Sequence, residues 1–258
     1  MPVSPHIETL PFSSDDGLGT TARLGMIILQ SDQTIEHEAA QLIHPHGAAS
    51  QIALYHSRIP NDTEVDEDSL RQMSLELPQA ASLLPSRFAF DAIGYGCTSG
   101  ATMIGEAEVE RLIKTIHPDA RITNPITACK AALAKLGIKR LALLTPYAVP
   151  VTQAMQDNLQ DAGYEITSIA TFNQSDDFKV ARISSQSIYE AVISVGQQAD
   201  CDAVFVSCTS LRALPIIAKA ERALQKPVLS SNQVFIWHLM RLAGLQDCPD
   251  NAGHLFEA

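Results

Sequence analysis

The chain has 258 residues, 46% of them hydrophobic and 18% charged, with 18 basic against 29 acidic side chains and a formal charge of −11. That is enough material for one large or two small globular domains, and its acidity disfavours nucleic acid and anionic membranes as partners. No apolar run reaches the roughly 18 residues of a membrane span, and the start MPVSPHIETLPFSSDDG lacks the basic end and apolar stretch of a secretory signal, so the cytoplasm is the expected compartment.

With residues 1–20 set aside as an N-terminal extension, short apolar runs alternate with amphipathic ones, the pattern of β-α units around parallel sheets. RLGMIIL (23–29) is a predicted strand, followed by a helix over 32–43 with Asp32 as its N-cap. SQIALYHSRI (50–59) alternates as a strand does, and 66–84 opens with acids suited to a helix N-terminus. A buried strand at 90–96, a helix at 105–116, a strand at 120–124 and a helix at 126–137 complete a first lobe over 21–137. The order then repeats over 138–245: strand 139–146, helix 150–163, strand 164–172, helix 184–199, strand 202–208, helix 214–225, strand 226–231 and helix 234–244. Residues 246–258 read as a tail. The expected fold is α/β, two pseudo-symmetric parallel-sheet lobes with the active site in the cleft between them.

The repeat is written most plainly in DAIGYGCTSG (91–100) and DAVFVSCTSL (202–211). Asp91, Ala92, Cys97, Thr98 and Ser99 return 111 residues later as Asp202, Ala203, Cys208, Thr209 and Ser210. Ligands of α/β folds sit at the carboxyl ends of the strands, where both cysteines lie. A single free Cys is most often a small buried hydrophobe; a duplicated Cys-Thr-Ser at two strand ends points instead to two thiols facing one cleft. Turn amides and helix N-termini there favour thiolate, and the hydroxyls of Thr98, Ser99, Thr209 and Ser210 with the turn amides would hold a carboxylate. Thiols on opposite faces of one carbon can invert a stereocentre by proton exchange. Alternatively, a thiolate adds to a double bond that then rotates. Neither route needs a cofactor.

These residues resemble the aspartate/glutamate racemase superfamily, and within it the maleate cis-trans isomerase and arylmalonate decarboxylase branch, over roughly residues 20–245. LQSDQTIEHE (29–38) is similar to the branch's first-strand motif, GYGCTSG to its first catalytic loop and VSCTS to its second. LLTPYAVPV (143–151) resembles the turn whose tyrosine binds substrate carboxylate, here Tyr147. The resemblance implies Cys97 and Cys208 as the reacting thiols, Thr98 and Ser99 as carboxylate donors, a homodimer or higher oligomer, and no cofactor. In arylmalonate decarboxylases the first cysteine is replaced by glycine, so two cysteines point away from simple decarboxylation. A first turn of the form QSD-x-T-x-E is similar to the ectoine-utilisation subgroup.

Two positions depart from the branch. Its first-strand asparagine corresponds to Asp32, and a second asparagine to Asp177 in DDFKVARIS (176–184). An ionised aspartate accepts hydrogen bonds but cannot donate one to a carboxylate, so the expected substrate is a small carboxylic acid that also carries an ammonium or amidine-like group. The plainer alternative leaves Asp32 as a helix cap and Asp177 on a solvated loop. His37, His44, His46 and His56 read as surface residues, and five cysteines without CxxC or CxxH spacing describe neither a disulfide framework nor a zinc site. Cys129, Cys201, Cys248, Trp237 and His238 read as packing or surface residues, and Arg212 as a solvated or capping side chain. Besides the two-cysteine isomerase, a decarboxylase using Cys208 alone and a non-catalytic small-molecule binding protein stay open.

Overall fold

A computed structural model of the chain describes residues 7–43, 51–62, 67–198 and 200–258. His44 and His46 lie outside them. The first half contains β1 (Ala22–Leu29), α1 (Ile35–Ile43), β2 (Ile52–Ile59), α2 (Glu67–Ser82), β3 (Ala92–Gly96), α3 (Thr98–Ile104), α4 (Glu106–Lys114), β4 (Arg121–Thr123) and α5 (Pro125–Leu136). The second contains β5 (Arg140–Thr145), α6 (Val149–Asp161), β6 (Glu165–Thr171), α7 (Asp177–Val180), α8 (Ser185–Gln198), β7 (Ala203–Val206), α9 (Ile217–Leu224), β8 (Val228–Ser230), α10 (Ser231–Leu242) and α11 (His254–Glu257). None of the described helices is long and apolar enough to cross a membrane.

Both halves build the same four-stranded parallel sheet, ordered β2-β1-β3-β4 and β6-β5-β7-β8. Helices cover both faces of the central strands, so β3 and β7 are buried along their whole length and carry apolar runs without alternation. The repeated Asp-Ala now has a structural account. Asp91 accepts from the Arg23 amide at 2.8 Å through its side chain, and Asp202 does the same for Arg140 at 2.8 Å. Each aspartate thereby ties the start of a central strand to the strand beside it, and Ala92 faces Leu24 as Ala203 faces Leu141.

The last helix of the second repeat belongs spatially to the first. α10 starts in a capping box, where the Ser230 hydroxyl accepts from the Gln233 amide at 3.3 Å and the Gln233 side chain accepts from the Ser230 amide at 3.3 Å. It then packs on α1, α5 and β3. The approach is close because β3 carries Gly94: a Cβ there would stand 2.2 Å from Cζ of Phe235. α3 against α6 supplies a further contact between the lobes.

Three elements differ from expectation. α3 and α7 were not foreseen, and both carry site residues. Residues 246–258 are no loose tail, since they end in α11 with Leu255 and Phe256 buried and Gln233 donating to the Ala252 carbonyl at 2.7 Å.

Candidate active site

Cys97 ends β3 and is itself the N-cap of α3. Its Sγ accepts from the Gly100 amide at 3.2 Å and lies 3.6 Å from the Ser99 hydroxyl. Gly100 leaves room for this arrangement, because a Cβ there would stand 2.5 Å from the Tyr95 hydroxyl and 3.0 Å from the Cys97 sulfur. Cys208 follows β7 and is built differently. Its backbone sits at φ 148°, its amide donates to the Ser231 hydroxyl at 2.9 Å, and its Sγ accepts from the Ser210 amide at 3.4 Å. Both sulfurs are buried and influence one another electrostatically.

Tyr147, buried in the turn after β5, interacts with Cys208 and Ser99 and feels both thiols. Asp177 likewise acts on both thiols. Hydrogen bonds join the two cysteine loops directly, since Thr209 donates to the Gly96 carbonyl at 3.4 Å and the Ser231 hydroxyl accepts from both Thr98 and the Cys208 amide, at 2.8 and 2.9 Å.

The two aspartates are brought together as well. In the turn after β1, Oδ1 of Asp32 accepts from the Thr34 and Ile35 amides at 2.7 and 2.8 Å and so closes the turn leading into α1, whose first helical hydrogen bond, from Glu38 to the Thr34 carbonyl, puts Thr34 rather than the expected Asp32 at the N-cap position. Its Oδ2 is buried without a partner at hydrogen-bonding geometry, although the Thr209 hydroxyl lies close enough to favour the ionised form. The aspartate pair of DDFKV divides its work. Asp176 caps α7 by accepting from the Phe178 amide at 2.9 Å. Asp177 points inward, where it accepts from Ser31 at 2.5 Å and faces Ser210 at 3.5 Å. At 4% exposure it is not on a solvated loop.

Burial sets the electrostatics. It pushes Asp32 up to about 6 and raises Asp177, with the Asp177 charge adding to the shift of Asp32 and the Asp176 charge to that of Asp177. It raises Cys97 to about 11 and Cys208 to about 12, with Asp177 adding to both shifts. The turn amides of Gly100 and Ser210 act as expected and, with the Ser99 and Tyr147 hydroxyls, lower the thiol values, but desolvation by burial outweighs them.

The expected carboxylate donors are partly committed elsewhere. Thr98 donates to Ser231 at 2.8 Å, Thr209 to the Gly96 carbonyl at 3.4 Å, and Ser210 faces Asp177. Ser99, between Cys97 and Tyr147, is the hydroxyl that stays at the thiols. Arg212 is exposed and donates to the Ile183 carbonyl at 3.1 Å, away from the sulfurs. His37 and His56 are exposed, and the described residues contain no group of three or more His, Cys, Asp or Glu arranged to hold a metal.

Several supporting residues were not singled out in the sequence. Ser231 receives both the Thr98 hydroxyl and the Cys208 amide. Asn61 accepts from the Ser31 amide at 3.1 Å and donates to its hydroxyl at 2.9 Å, fixing the group that holds Asp177. Glu38, fully buried on α1, accepts from the Leu214 amide at 3.0 Å and from Asn232 at 2.8 Å; burial raises it to about 7. Asn232 in turn donates to the Thr209 carbonyl at 2.9 Å. The position of Ser231 directly after the capping Ser230, and the second acid of EHE, were the available signals.

A family profile described as arylmalonate decarboxylase matches residues 63–256. The chain belongs to that family. Maleate isomerase of Alcaligenes faecalis is 24% identical over 245 residues, covering 91% of this chain and 96% of the relative. The crystal structure of the maleate isomerase Iso from Pseudomonas putida S16 superposes with a TM-score of 0.83 at 24% identity, over 91% of this chain and 98% of that one. A Nocardia farcinica maleate cis-trans isomerase variant, described with a covalently bound succinylcysteine intermediate, gives a TM-score of 0.80 at 23% identity over 91% and 98%. This family member therefore lies in the maleate isomerase and arylmalonate decarboxylase branch of the aspartate/glutamate racemase superfamily, and it is an enzyme of the isomerase kind.

Proposed function

We propose that the chain is a cofactor-independent two-cysteine isomerase acting on a small carboxylic acid, with Cys97 and Cys208 as the reacting groups. The observation that carries this reading is the meeting of the two cysteine loops from opposite lobes, tied by Thr209 to the Gly96 carbonyl and by Ser231 to both Thr98 and the Cys208 amide, with Tyr147 and Asp177 acting on both thiols. One thiol loses its proton to solvent on substrate binding. In a racemisation its thiolate takes the proton from the α-carbon, and the electron pair spreads into the carboxylate as a planar enediolate. The other thiol then donates its proton to the opposite face, so that only configuration changes. In a cis-trans isomerisation the thiolate sulfur bonds to one alkene carbon and the pair moves towards the carboxylate. The new single bond rotates and the C–S bond breaks, returning thiolate and the other alkene geometry.

Ser99, Tyr147 and the amides of the Cys97 and Cys208 loops are the groups that would hold the substrate carboxylate and the developing negative charge. Thr98, Thr209 and Ser210 would act through the loops they tie down. The branch resemblance extends to a homodimer, to be checked by light scattering, and the cytoplasm is the compartment proposed for a chain of free thiols.

Proton NMR in D₂O tests the reading, with maleate and with single enantiomers of acidic and cyclic amino acids. Deuterium at an α-position with loss of optical purity supports two-base racemisation; fumarate from maleate supports addition and rotation. Release of bicarbonate without isomerisation would replace the isomerase by a decarboxylase. Turnover that survives Cys97→Ala and Cys208→Ala would overturn any thiol chemistry.

A further inference from the structure

Two buried acceptors by the cysteine loops lack a hydrogen-bond donor. Oδ2 of Asp32 has no partner at hydrogen-bonding geometry, the nearby Thr209 hydroxyl donating instead to the Gly96 carbonyl at 3.4 Å, and Oδ1 of Asn232 has none either. The Asn232 amide is oriented unambiguously, since its nitrogen donates to two acceptors, the Glu38 carboxylate and the Thr209 carbonyl. Asp177 adds a second inward carboxylate whose partners are the two hydroxyls of Ser31 and Ser210. Arg58 donates to the Asp32 backbone carbonyl at 3.2 Å, but no Lys or Arg side chain hydrogen-bonds or ion-pairs with the carboxylate of Asp32 or Asp177 among the described contacts, and Asp32 is 4% exposed. A second substrate carboxylate at this end would meet two acids with no described cation between them.

Resting on the isomerase reading above, we infer that Asp32 and Asp177 form a cation subsite beside the thiols, which takes an N–H-bearing ammonium or amidinium group on the substrate. The substrate class is then an amino-substituted or cyclic-amidine carboxylic acid, and a plain dicarboxylate is disfavoured. A cationic N–H group here would supply the donor that Oδ2 of Asp32 lacks, by a charge-assisted hydrogen bond. It would also offset the Asp177 charge that works against ionisation of both cysteines, so that binding the correct substrate would itself favour thiolate.

A pair of small thiol reagents of opposite charge tests this without knowledge of the substrate and without turnover. 2-Aminoethyl methanethiosulfonate and 2-sulfonatoethyl methanethiosulfonate each form a mixed disulfide with a cysteine as methanesulfinate leaves and the thiol proton passes to solvent. Peptide mass spectrometry gives the ratio of cationic to anionic labelling at Cys97, Cys208 and the exposed Cys248. The ratio at the site thiols should favour the cationic reagent in the native protein and fall at least ten-fold when Asp32→Asn and Asp177→Asn are combined, while the ratio at Cys248 stays fixed. An Asn side-chain carbonyl can accept from the Thr34 and Ile35 amides as Asp32 does, so the turn into α1 survives the substitution, and an unchanged thermal melt confirms it.

A ratio indifferent to the two substitutions, a native preference for the anionic reagent, or completion at Cys248 with no cationic labelling at either site thiol would each overturn the subsite. None of these outcomes touches the isomerase reading, which stands or falls on turnover by the cysteine variants.

Discussion

The same Cys-Thr-Ser is built into two different backbones. In the first lobe Cys97 opens a helix and its sulfur serves as the cap. In the second, Cys208 lies at φ 148° in a turn, and its loop is held from outside by Ser231, by Thr34 donating to the Ser210 carbonyl at 2.9 Å, and by Asn232 on the Thr209 carbonyl. Thr34 belongs to the first lobe, and Ser231 and Asn232 to the helix that packs on it. The first thiol is positioned by its own helix and the second by its neighbours, so the symmetry of the fold does not extend to the support of the two sulfurs.

The largest expected effect comes from removing either sulfur. Cys97→Ser and Cys208→Ser should each lower turnover by about 10²–10⁴-fold, measured by NMR with the substrate found as above. An asymmetric result, with one variant nearly active, would give one thiol the whole reaction. Before substrate binds, both thiols are also expected to be sluggish. With values raised to about 11 and 12, the thiolate fraction grows as pH rises, and alkylation by iodoacetamide should keep accelerating beyond pH 10. At pH 8 Cys97 should react about 10²-fold more slowly than an ordinary exposed thiol. A plateau near pH 9 would contradict that.

Much of this architecture was legible in the sequence because its signals are local. The repeated Asp-Ala and the strand-end cysteines are visible as letters, and the runs AIGYG (92–96) and AVFV (203–206), without polar alternation, reveal strands covered on both faces. α3 was missed because Cys, Thr, Ser and Gly at 97–100 are weak helix formers, and the helix is started by a sulfur cap rather than by propensity. The supports of Cys208 were not legible, since Thr34 and Glu38 reach residues 176 positions away in the chain. The net shift of the thiols was not legible for a similar reason. The turn amides are local, whereas the burial that outweighs them is assembled by both lobes.

Glu38 offers the next sharpest test of cross-lobe support. Its value is raised by burial from 4.5 to about 7, so the folded state binds its proton more tightly than the unfolded chain. The associated stability is fully present below about pH 4.5 and is lost as pH rises through 7. The swing amounts to about 3 kcal/mol. Glu38→Gln should remove this slope, visible as a smaller fall in Tm between pH 5 and 8 than in the native protein. The variant should also weaken the hold on Asn232, whose amide nitrogen would then face another amide. If the slope is unchanged, Glu38 does not titrate in that range.

Ser231→Ala addresses the joint between the two loops, because one hydroxyl oxygen accepts from both Thr98 and the Cys208 amide. Leaving these two buried donors unsatisfied should cost about 1–3 kcal/mol each before any relaxation. Turnover should fall with stability. A Ser231→Thr variant, which keeps the hydroxyl, should recover most of both if the oxygen is what matters.

The smallest effect concerns backbone strain and separates the two loops most directly. A non-glycine residue at φ 148° is held in a sparsely populated region, at a cost of order 1–3 kcal/mol. Cys208→Gly relieves that strain, because glycine adopts positive φ freely, although it also loses the packing of a buried sulfur and some entropy. The net change relative to Cys208→Ala, which loses the sulfur but keeps the strained Cβ, should therefore be a gain of about 1 kcal/mol. At Cys97, where φ is −142°, the order reverses. Glycine relieves nothing there, and Cys97→Ser, which keeps an N-cap oxygen, should be the most stable of the three replacements by about 1 kcal/mol. Thermal melts of the six variants would read both orders at once. If glycine were no better than alanine at position 208, Cys208 would be held there without strain, and the asymmetry between the loops would reduce to their hydrogen bonds alone.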